Sequence, residues 1–342
     1  MTQKILVTGG TGYIGSHTVV ELQQAGFDVV IVDDLSNSEY STVESIEKIT
    51  GIKPDFEQFT LTDGEKTDHF FKRNSNIRAI IHFAASKAVG ESVEKPLLYY
   101  RNNLVSLMNL LECQIKYGIQ NIVFSSSCTV YGQPEKLPVD ENTPRLDAES
   151  PYGNTKRISE DILRDTIAAN KDLKGIALRY FNPVGAHPSA LIGELPRGVP
   201  GNLVPFITQT AAGIREYLSV FGDDYDTPDG SAIRDFINVV DLAKAHVVAI
   251  QRLLDNKNRS GYEVFNLGTG TGVSVLELVN TFERVTGVKL NYKITGRRAG
   301  DIEKIWADTT YANMELGWKA EKSLDETLLS AWNWEKQIRG IQ

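Results

Sequence analysis

Ile5-Leu6-Val7-Thr8-Gly9-Gly10-Thr11-Gly12-Tyr13-Ile14-Gly15 decides the fold. An apolar run ends in three spaced glycines, Gly9, Gly12 and Gly15, and a helical pattern begins behind them. Glycines at this spacing let the chain turn tightly, let backbone approach a pyrophosphate, and let helix and strand pack closely. The N–H groups exposed at the start of the helix favour anionic phosphate. Outward from this turn, short apolar runs alternate with amphipathic stretches, the pattern of β-α units in a parallel sheet. The runs predict strands at 4–8, 29–33, 55–60, 79–83, 121–125 and 175–180, six in all, as in a Rossmann sheet. Long helices are expected over 97–117 and 152–170, and further helices over 240–254, 275–286 and 324–336.

The fold class expected is therefore α/β, a Rossmann-type doubly wound parallel sheet with a smaller C-terminal α/β substrate-binding cap. Residues 1–181 are expected to form the dinucleotide-binding domain, with about 234–267 returning to it, and 182–342 mainly the cap. After Phe181 the pattern turns irregular, and Pro183, Pro188, Pro196, Pro200 and Pro205 mark covering loops. Strand two ends at Asp33, where a carboxylate can hydrogen-bond the adenosine ribose. The same charge repels a 2′-phosphate and predicts NAD rather than NADP.

A second motif, Tyr152-Gly153-Asn154-Thr155-Lys156, sets a phenol and an ammonium four apart at a helix start, on one face. A phenol with a pKa of about 10 is a poor base at neutral pH, but a nearby ammonium and an oxidised nicotinamide both favour its phenolate. An isolated pair of this spacing is usually a solvated helix face. Here the glycine turn lies upstream, and Ser125-Ser126-Ser127 ends a predicted strand, where hydroxyls emerge over a Rossmann cleft. Ser127 is the candidate for hydrogen-bonding a reacting substrate hydroxyl; Ser125 and Ser126 read as a turn or cap.

Composition excludes other classes. The net charge of −8 and the lack of any Lys/Arg run argue against nucleic acid. No segment approaches about 18 uninterrupted apolar residues, so no membrane span is expected, and the first apolar stretch is too short for a signal sequence. Cys113 and Cys128 have no paired or metal-ligand spacing, which suits a reducing, cytoplasmic setting, and five scattered histidines suggest no metal.

GGTGYIGSH (9–17), HFAASKAVGESV (82–93), SSSCTVYG (125–132), SPYGNTK (150–156), RYFNPVGAHP (179–188), GNLVPF (201–206) and RRAGDI (297–302) together resemble the UDP-glucose 4-epimerase (UDP-galactose 4-epimerase) family of extended short-chain dehydrogenases/reductases. The resemblance runs from Lys4 to about Trp334. It implies a tightly held NAD reduced and reoxidised in each cycle, with Tyr152 as base, Lys156 and Ser127 in support, and a UDP-hexose passing through a transient 4-keto sugar. It also implies a homodimer, which the long helices 97–117 and 152–170 could supply.

Carried over residue by residue, the resemblance places Gly9, Gly12, Tyr13, Ile14, Gly15, Asp33 and Asn37 around the adenosine and pyrophosphate of NAD. Thr60 and Leu61 would lie by the adenine. Phe83, Ala84, Lys87, Asn102, Tyr152, Lys156 and Tyr180 would follow towards the nicotinamide. Tyr180, Phe181 and Asn182 are expected to end strand six, with Phe181 facing the nicotinamide and Asn182 the substrate phosphate. Asn202 and Leu203 would meet the nucleotide; Arg234, Arg298 and Asp301 would hold the diphosphate and ribose, work suited to arginine's fixed fork.

Three positions depart from the family pattern. Thr60 stands where many relatives have an Asp for the adenine amino group, which predicts a looser grip there or more work for the Leu61 backbone. Asp34 follows Asp33 where an Asn is common. Ile305 occupies the position that gates the sugar pocket, intermediate between a ring that excludes a 2-acetamido group and a small residue that admits it, so activity on UDP-GlcNAc or UDP-GalNAc stays open. The nearest rival is a nucleotide-sugar 4,6-dehydratase, which carries a carboxylate-bearing triplet where this chain has Ser127-Cys128-Thr129. A decarboxylase, a uronate epimerase and a non-catalytic dinucleotide-sensing scaffold are the remaining alternatives.

Overall fold

The structure, a computed structural model, describes residues 3–298 and 302–342. Its centre is a parallel sheet built from β1 (Lys4–Thr8), β2 (Asp28–Asp33), β3 (Asp55–Gln58), β4 (Ile77–His82), β5 (Asn121–Ser127) and β6 (Lys174–Tyr180). Short strands β7 (Asn182–Val184), β8 (Leu218–Phe221), β9 (Ile233–Arg234) and β10 (Phe236–Asn238) come next. The last four are β11 (Tyr262–Leu267), β12 (Val273–Ser274), β13 (Tyr292–Thr295) and β14 (Lys304–Ile305). The main sheet runs β3-β2-β1-β4-β5-β6-β11, so the reversal of strand order lies between β1 and β4. The expected six strands are seven: β11 returns to pair with β6, Tyr262 opposite Gly175 through Leu267 opposite Tyr180. Its sequence, YEVFNL, mixes Glu and Asn into an edge position, which blurred the apolar signal.

Alternation of side chains across each strand splits the core into two. Ile5 and Val7, Val123, Ile176 and Leu178 face one cluster, where Val19, Val20, Leu242 and Ala245 of α1 (Tyr13–Gln24) and α9 (Val239–Leu254) cover them. Leu6, Ile122, Phe124 and Ala177 face the other. Phe70 and Phe71 of α3 (Gly64–Arg73), Leu107 and Leu110 of α6 (Ser106–Lys116), and Leu163 of α7 (Pro151–Ala169) close that side. Helix α2 (Ser41–Thr50) buries Val43 and Ile46. Neither α2 nor α3 stood out among the expected long helices.

The helix expected over 97–117 is segmented. Helices α4 (Val89–Glu94) and α5 (Pro96–Tyr100) precede a wider π-type turn at Arg101–Val105, after which α6 resumes. The turn brings Asn103 inward, where its amide accepts from the Ser86 backbone and donates to the Ser86 carbonyl and the Thr155 hydroxyl. Strand boundaries also move: β3 stops at Gln58 rather than residue 60, β4 ends at His82 before Phe83, and β5 continues to Ser127. Strand six ends at Tyr180, not at Asn182, which starts β7 and pairs with β10.

A third cluster packs α8 (Leu203–Ala211), α10 (Val275–Thr286) and α11 (Leu324–Arg339) around Phe236, Phe282, Leu328 and Trp332, beside the β8–β13 pair. Helices α10 and α11 each start with a reciprocal cap, Ser274 with Glu277 and Ser323 with Glu326, which satisfies N–H groups left open at a helix start.

Candidate functional site

The C-terminal ends of β1, β2, β4, β5 and β6 share one rim of the sheet, the place where a doubly wound sheet opens to ligands. At β1, Gly9 adopts φ 71°, and a Cβ there would stand 2.8 Å from the backbone nitrogen of Ala84. A Cβ on Gly15 would collide with the Gly9 carbonyl oxygen, so helix and strand meet backbone to backbone. Gly12 caps α1 without any side-chain hydrogen bond, leaving first-turn N–H groups facing the rim. This cradle fits a pyrophosphate.

Asp33 ends β2 and is 9% exposed. Its carboxylate accepts from the Thr11 N–H (3.2 Å), the Leu35 N–H (2.9 Å) and the Ser38 hydroxyl (3.1 Å). Two oxygens carry about four acceptor sites, which leaves capacity for a ribose hydroxyl. Asn37 is exposed on the same loop. Thr60 bonds the Thr62 hydroxyl at 2.9 Å, and Leu61 is buried with its carbonyl accepting from Asn109.

On the other side of the rim, Phe83 and Tyr180 pack on the buried His246, with ring centroids 4.7 and 5.5 Å from it. Ala84 N–H donates to the Thr8 hydroxyl, Tyr13 Oη donates to the Gly185 carbonyl at 2.6 Å, and Ile14 packs into the first core cluster. Lys87 pairs with Glu194 at 3.2 Å, and Asn202 donates to the same Glu194 oxygen at 2.6 Å. Asn102 donates to the Ser86 hydroxyl.

Tyr152 and Lys156 lie on the first two turns of α7, whose Ser150 cap accepts from Gly153 N–H. The Ser127 hydroxyl lies beside the Tyr152 phenol and eases its ionisation, and the Lys156 ammonium donates to the Ser125 carbonyl at 2.6 Å. Burial raises Tyr152 to about 12, reinforced by Cys128 and opposed by the Ser127 hydrogen bond. Burial lowers Lys156 to about 8, opposed by the charge of Glu160. Lys156 Nζ stands 5.9 Å from the Tyr152 ring centroid, and desolvation outweighs its favourable charge in setting the phenol's pKa. Cys128 is likewise pushed up to about 12 by burial and stays a neutral thiol.

Cys128, Phe181 and Ile305 belong to one buried cluster with Tyr131, Val139 and Ala307. Ile305 is 2% exposed and lies directly opposite Arg234 in the β14–β9 pair. Between them these two strands set the expected gate residue beside an arginine expected to hold phosphate. Arg234 also donates to its neighbour's carbonyl, Ile233 O, at 2.8 Å. Asn182 N–H donates to Asp235 O, Leu203 begins α8, and Arg298 lies over the Phe221 ring at 5.7 Å. Asp301 lies outside the described residues.

Four residues near this rim escaped the sequence reading: Asn103, Glu160, Glu194 and Arg197. Glu160 takes the Ser126 hydroxyl and both arms of Arg179 (2.8 and 2.6 Å). Ser126 is thus no simple turn residue. Continuing the four-residue step from Tyr152 through Lys156 reaches Glu160, a signal that could have found it. The other three depend on contacts far apart in the chain. Among the described residues no group of His, Cys, Asp and Glu could hold a metal, and no helix is long and apolar enough to cross a membrane.

Residues 5–268 match the NAD dependent epimerase/dehydratase family. UDP-glucose 4-epimerase of Bacillus subtilis is 51% identical over 331 residues, 97% of this chain and 96% of that protein. Among solved structures, a Stenotrophomonas maltophila UDP-glucose-4-epimerase with bound NAD and formylated UDP-arabinopyranose superposes with a TM-score of 0.95 at 48% identity, covering 99% of this chain and 100% of that one. A Bifidobacterium longum UDP-glucose 4-epimerase in complex with NAD+ and UDP gives 0.94 at 45% identity, with coverage of 99% and 100%.

Proposed function

The chain belongs to the NAD dependent epimerase/dehydratase family, and from that premise we propose how its residues perform the reaction of its UDP-glucose 4-epimerase relatives. It is an NAD-dependent epimerase that interconverts UDP-galactose and UDP-glucose. The observation carrying the assignment of roles is the meeting of Tyr152 and Ser127 at the rim, with Lys156 behind them.

NAD supplies the acceptor for the hydride leaving carbon 4 and its donor in the return step. Gly9, Gly12 and the start of α1 would hold its pyrophosphate, and Asp33 would hold its adenosine ribose. Ser127 hydrogen-bonds the sugar's 4-hydroxyl while Tyr152 accepts its proton. Tyr152 must therefore ionise during turnover, although its surroundings, burial foremost, push it to about 12. Positive charge from the loaded cofactor and from Lys156 works in the opposite direction. The 4-keto sugar would turn over while its UDP stays anchored by Asn202, Leu203, Arg234 and Arg298, so that the hydride would re-add to the opposite face of carbon 4 while Tyr152 gives the proton back to the 4-oxygen. Cys128 and Thr129 offer no carboxylate beside Ser127, which disfavours the dehydratase reading.

The test is to incubate the purified protein, with no NAD added, with UDP-galactose and follow the sugar signals by NMR. Formation of UDP-glucose is expected. No 4-epimer even after NAD is supplied would sink the reading.

A homodimer fits the apolar strip outside the cleft: Val89, Val93, Leu97 and Leu98 on α4 and α5 are 48%, 62%, 78% and 48% exposed. A two-fold interface pairs such a strip with its own copy, and α7 lies beside it. Light scattering should give twice the chain mass for the parent and less for Leu97→Asp; a monomeric parent would overturn this. The free Cys113 and Cys128 fit a cytoplasmic setting.

A further inference from the structure

Residues 185–202 cross the rim where the dinucleotide is expected to lie. One side of the segment is tied to the cap. The Ala186 N–H donates to Ser330 Oγ at 3.0 Å, the Trp334 indole donates to the Glu194 carbonyl at 2.9 Å, and Arg215 donates to the Gly198 carbonyl. At Gly193 the backbone lies so close to Trp334 that a Cβ there would stand 2.5 Å from its ring. Its other side meets the sheet at three separated strand ends. Gly185 accepts from Tyr13 behind β1, Glu194 pairs with Lys87 behind β4, and Arg197 reaches the loop behind β2. These contacts span the rim across the glycine cradle.

The Arg197 contact has a particular form. Its guanidinium donates to three backbone carbonyls, Ser36 O at 2.7 Å, Leu35 O at 3.2 Å and Ser38 O at 2.6 Å. Leu35 and Ser38 are also the residues whose N–H and hydroxyl grip the Asp33 carboxylate. Leu35 holds φ 60°, a left-handed conformation costly for a branched side chain. Arg197 therefore closes the strap and braces the loop that aims the ribose-binding carboxylate. A planar fork with several fixed donors suits three convergent carbonyls; a lysine ammonium does not reproduce that geometry.

We propose that residues 185–202 are a strap over the bound NAD and that Arg197 is its clasp, so that the cofactor escapes only when Arg197 lets go of the loop Leu35–Ser38. The proposal rests on the reading that NAD lies along this rim. It assigns cofactor retention to a residue that touches neither the reacting sugar nor the phenol. It also offers compensation for Thr60, a hydroxyl already bonded to Thr62.

The experiment compares the NAD-loaded parent with Arg197→Ala and Arg197→Lys. Loss of NAD is followed during dialysis by assay of the cofactor remaining per chain. Turnover of UDP-galactose is measured separately with excess NAD, and thermal unfolding is recorded for each protein. The expected result is NAD loss about tenfold faster for Arg197→Ala, the loss of hydrogen bonds from a charged donor. Arg197→Lys should fall between, and kcat and the KM for the sugar should stay within about twofold of the parent, because the clasp is remote from the chemistry. Loss at the parental rate from both variants would overturn the clasp and leave the epimerase reading standing. A parent that fails to epimerise with excess NAD would overturn that reading instead. If Arg197→Ala does not fold, Arg197→Lys decides by the same rate comparison.

Discussion

Lys156 and Ser125 are joined by a buried hydrogen bond of 2.6 Å, from the ammonium to the backbone carbonyl two residues before the serine that Tyr152 touches. Strand and helix thus hold each other in register at the point of proposed chemistry. One turn further along α7, Glu160 accepts from Ser126, the intervening residue.

Tyr152→Phe should lower kcat by about 10³-fold, the middle of the range for one proton-transferring side chain. The phenyl ring keeps the packing, so NAD content and melting temperature should stay near those of the parent. Steady-state kinetics with UDP-galactose checks this; a loss under about tenfold would remove Tyr152 from the role of base.

Lys156 carries a stability cost with a definite pH window. Its pKa is lowered from 10.5 to about 8 in the folded chain, so between those values the unfolded chain holds the proton and the folded chain does not. Stability must then rise as pH rises through that window, and the full penalty applies below it. Lys156→Met should therefore melt higher than the parent at pH 7, with the difference shrinking from about pH 8 towards 10.5, while activity is lost. Calorimetry across this range checks the sign; a pH-independent difference would refute it.

Glu160→Gln keeps the shape of the side chain and removes the charge that faces Arg179, which is 4% exposed. Breaking a buried pair from one side costs about 3–5 kcal/mol. Denaturant unfolding should show a loss of that order, and a change under about 1 kcal/mol would mean the pair contributes little.

Ile305 packs with Phe181 and Cys128 beside Arg234. Ile305→Ala should raise turnover of UDP-N-acetylgalactosamine relative to UDP-galactose, and Ile305→Tyr should suppress it. NMR of both substrates with each variant measures the ratio. An unchanged ratio would place the gate elsewhere. The Ala variant should also lose about 2–5 kcal/mol of stability, since it empties a buried site.

Asp33→Asn should weaken NAD binding by about tenfold or more, because an acceptor charge shared by three donors is lost. Binding of NADP should weaken less, since the repulsion of its 2′-phosphate falls too. Fluorescence titration of both cofactors provides the comparison.

Local pattern alone determined the strand-glycine-helix opening, the alternation that puts Ile5 and Val7 on one sheet face and Leu6 on the other, and the one-face spacing of Tyr152 and Lys156. Each is a matter of neighbours within a few residues, where period and backbone freedom suffice. Tertiary structure decided what depends on distant segments meeting. It brought the seventh strand back beside β6, turned Asn103 inward, put Ile305 opposite Arg234 and drew Arg197 across to Leu35, Ser36 and Ser38. It also decided the charge state of the site. Spacing puts an ammonium and a phenol on one helix face, but only burial, which no short stretch of sequence records, sets them at about 8 and about 12.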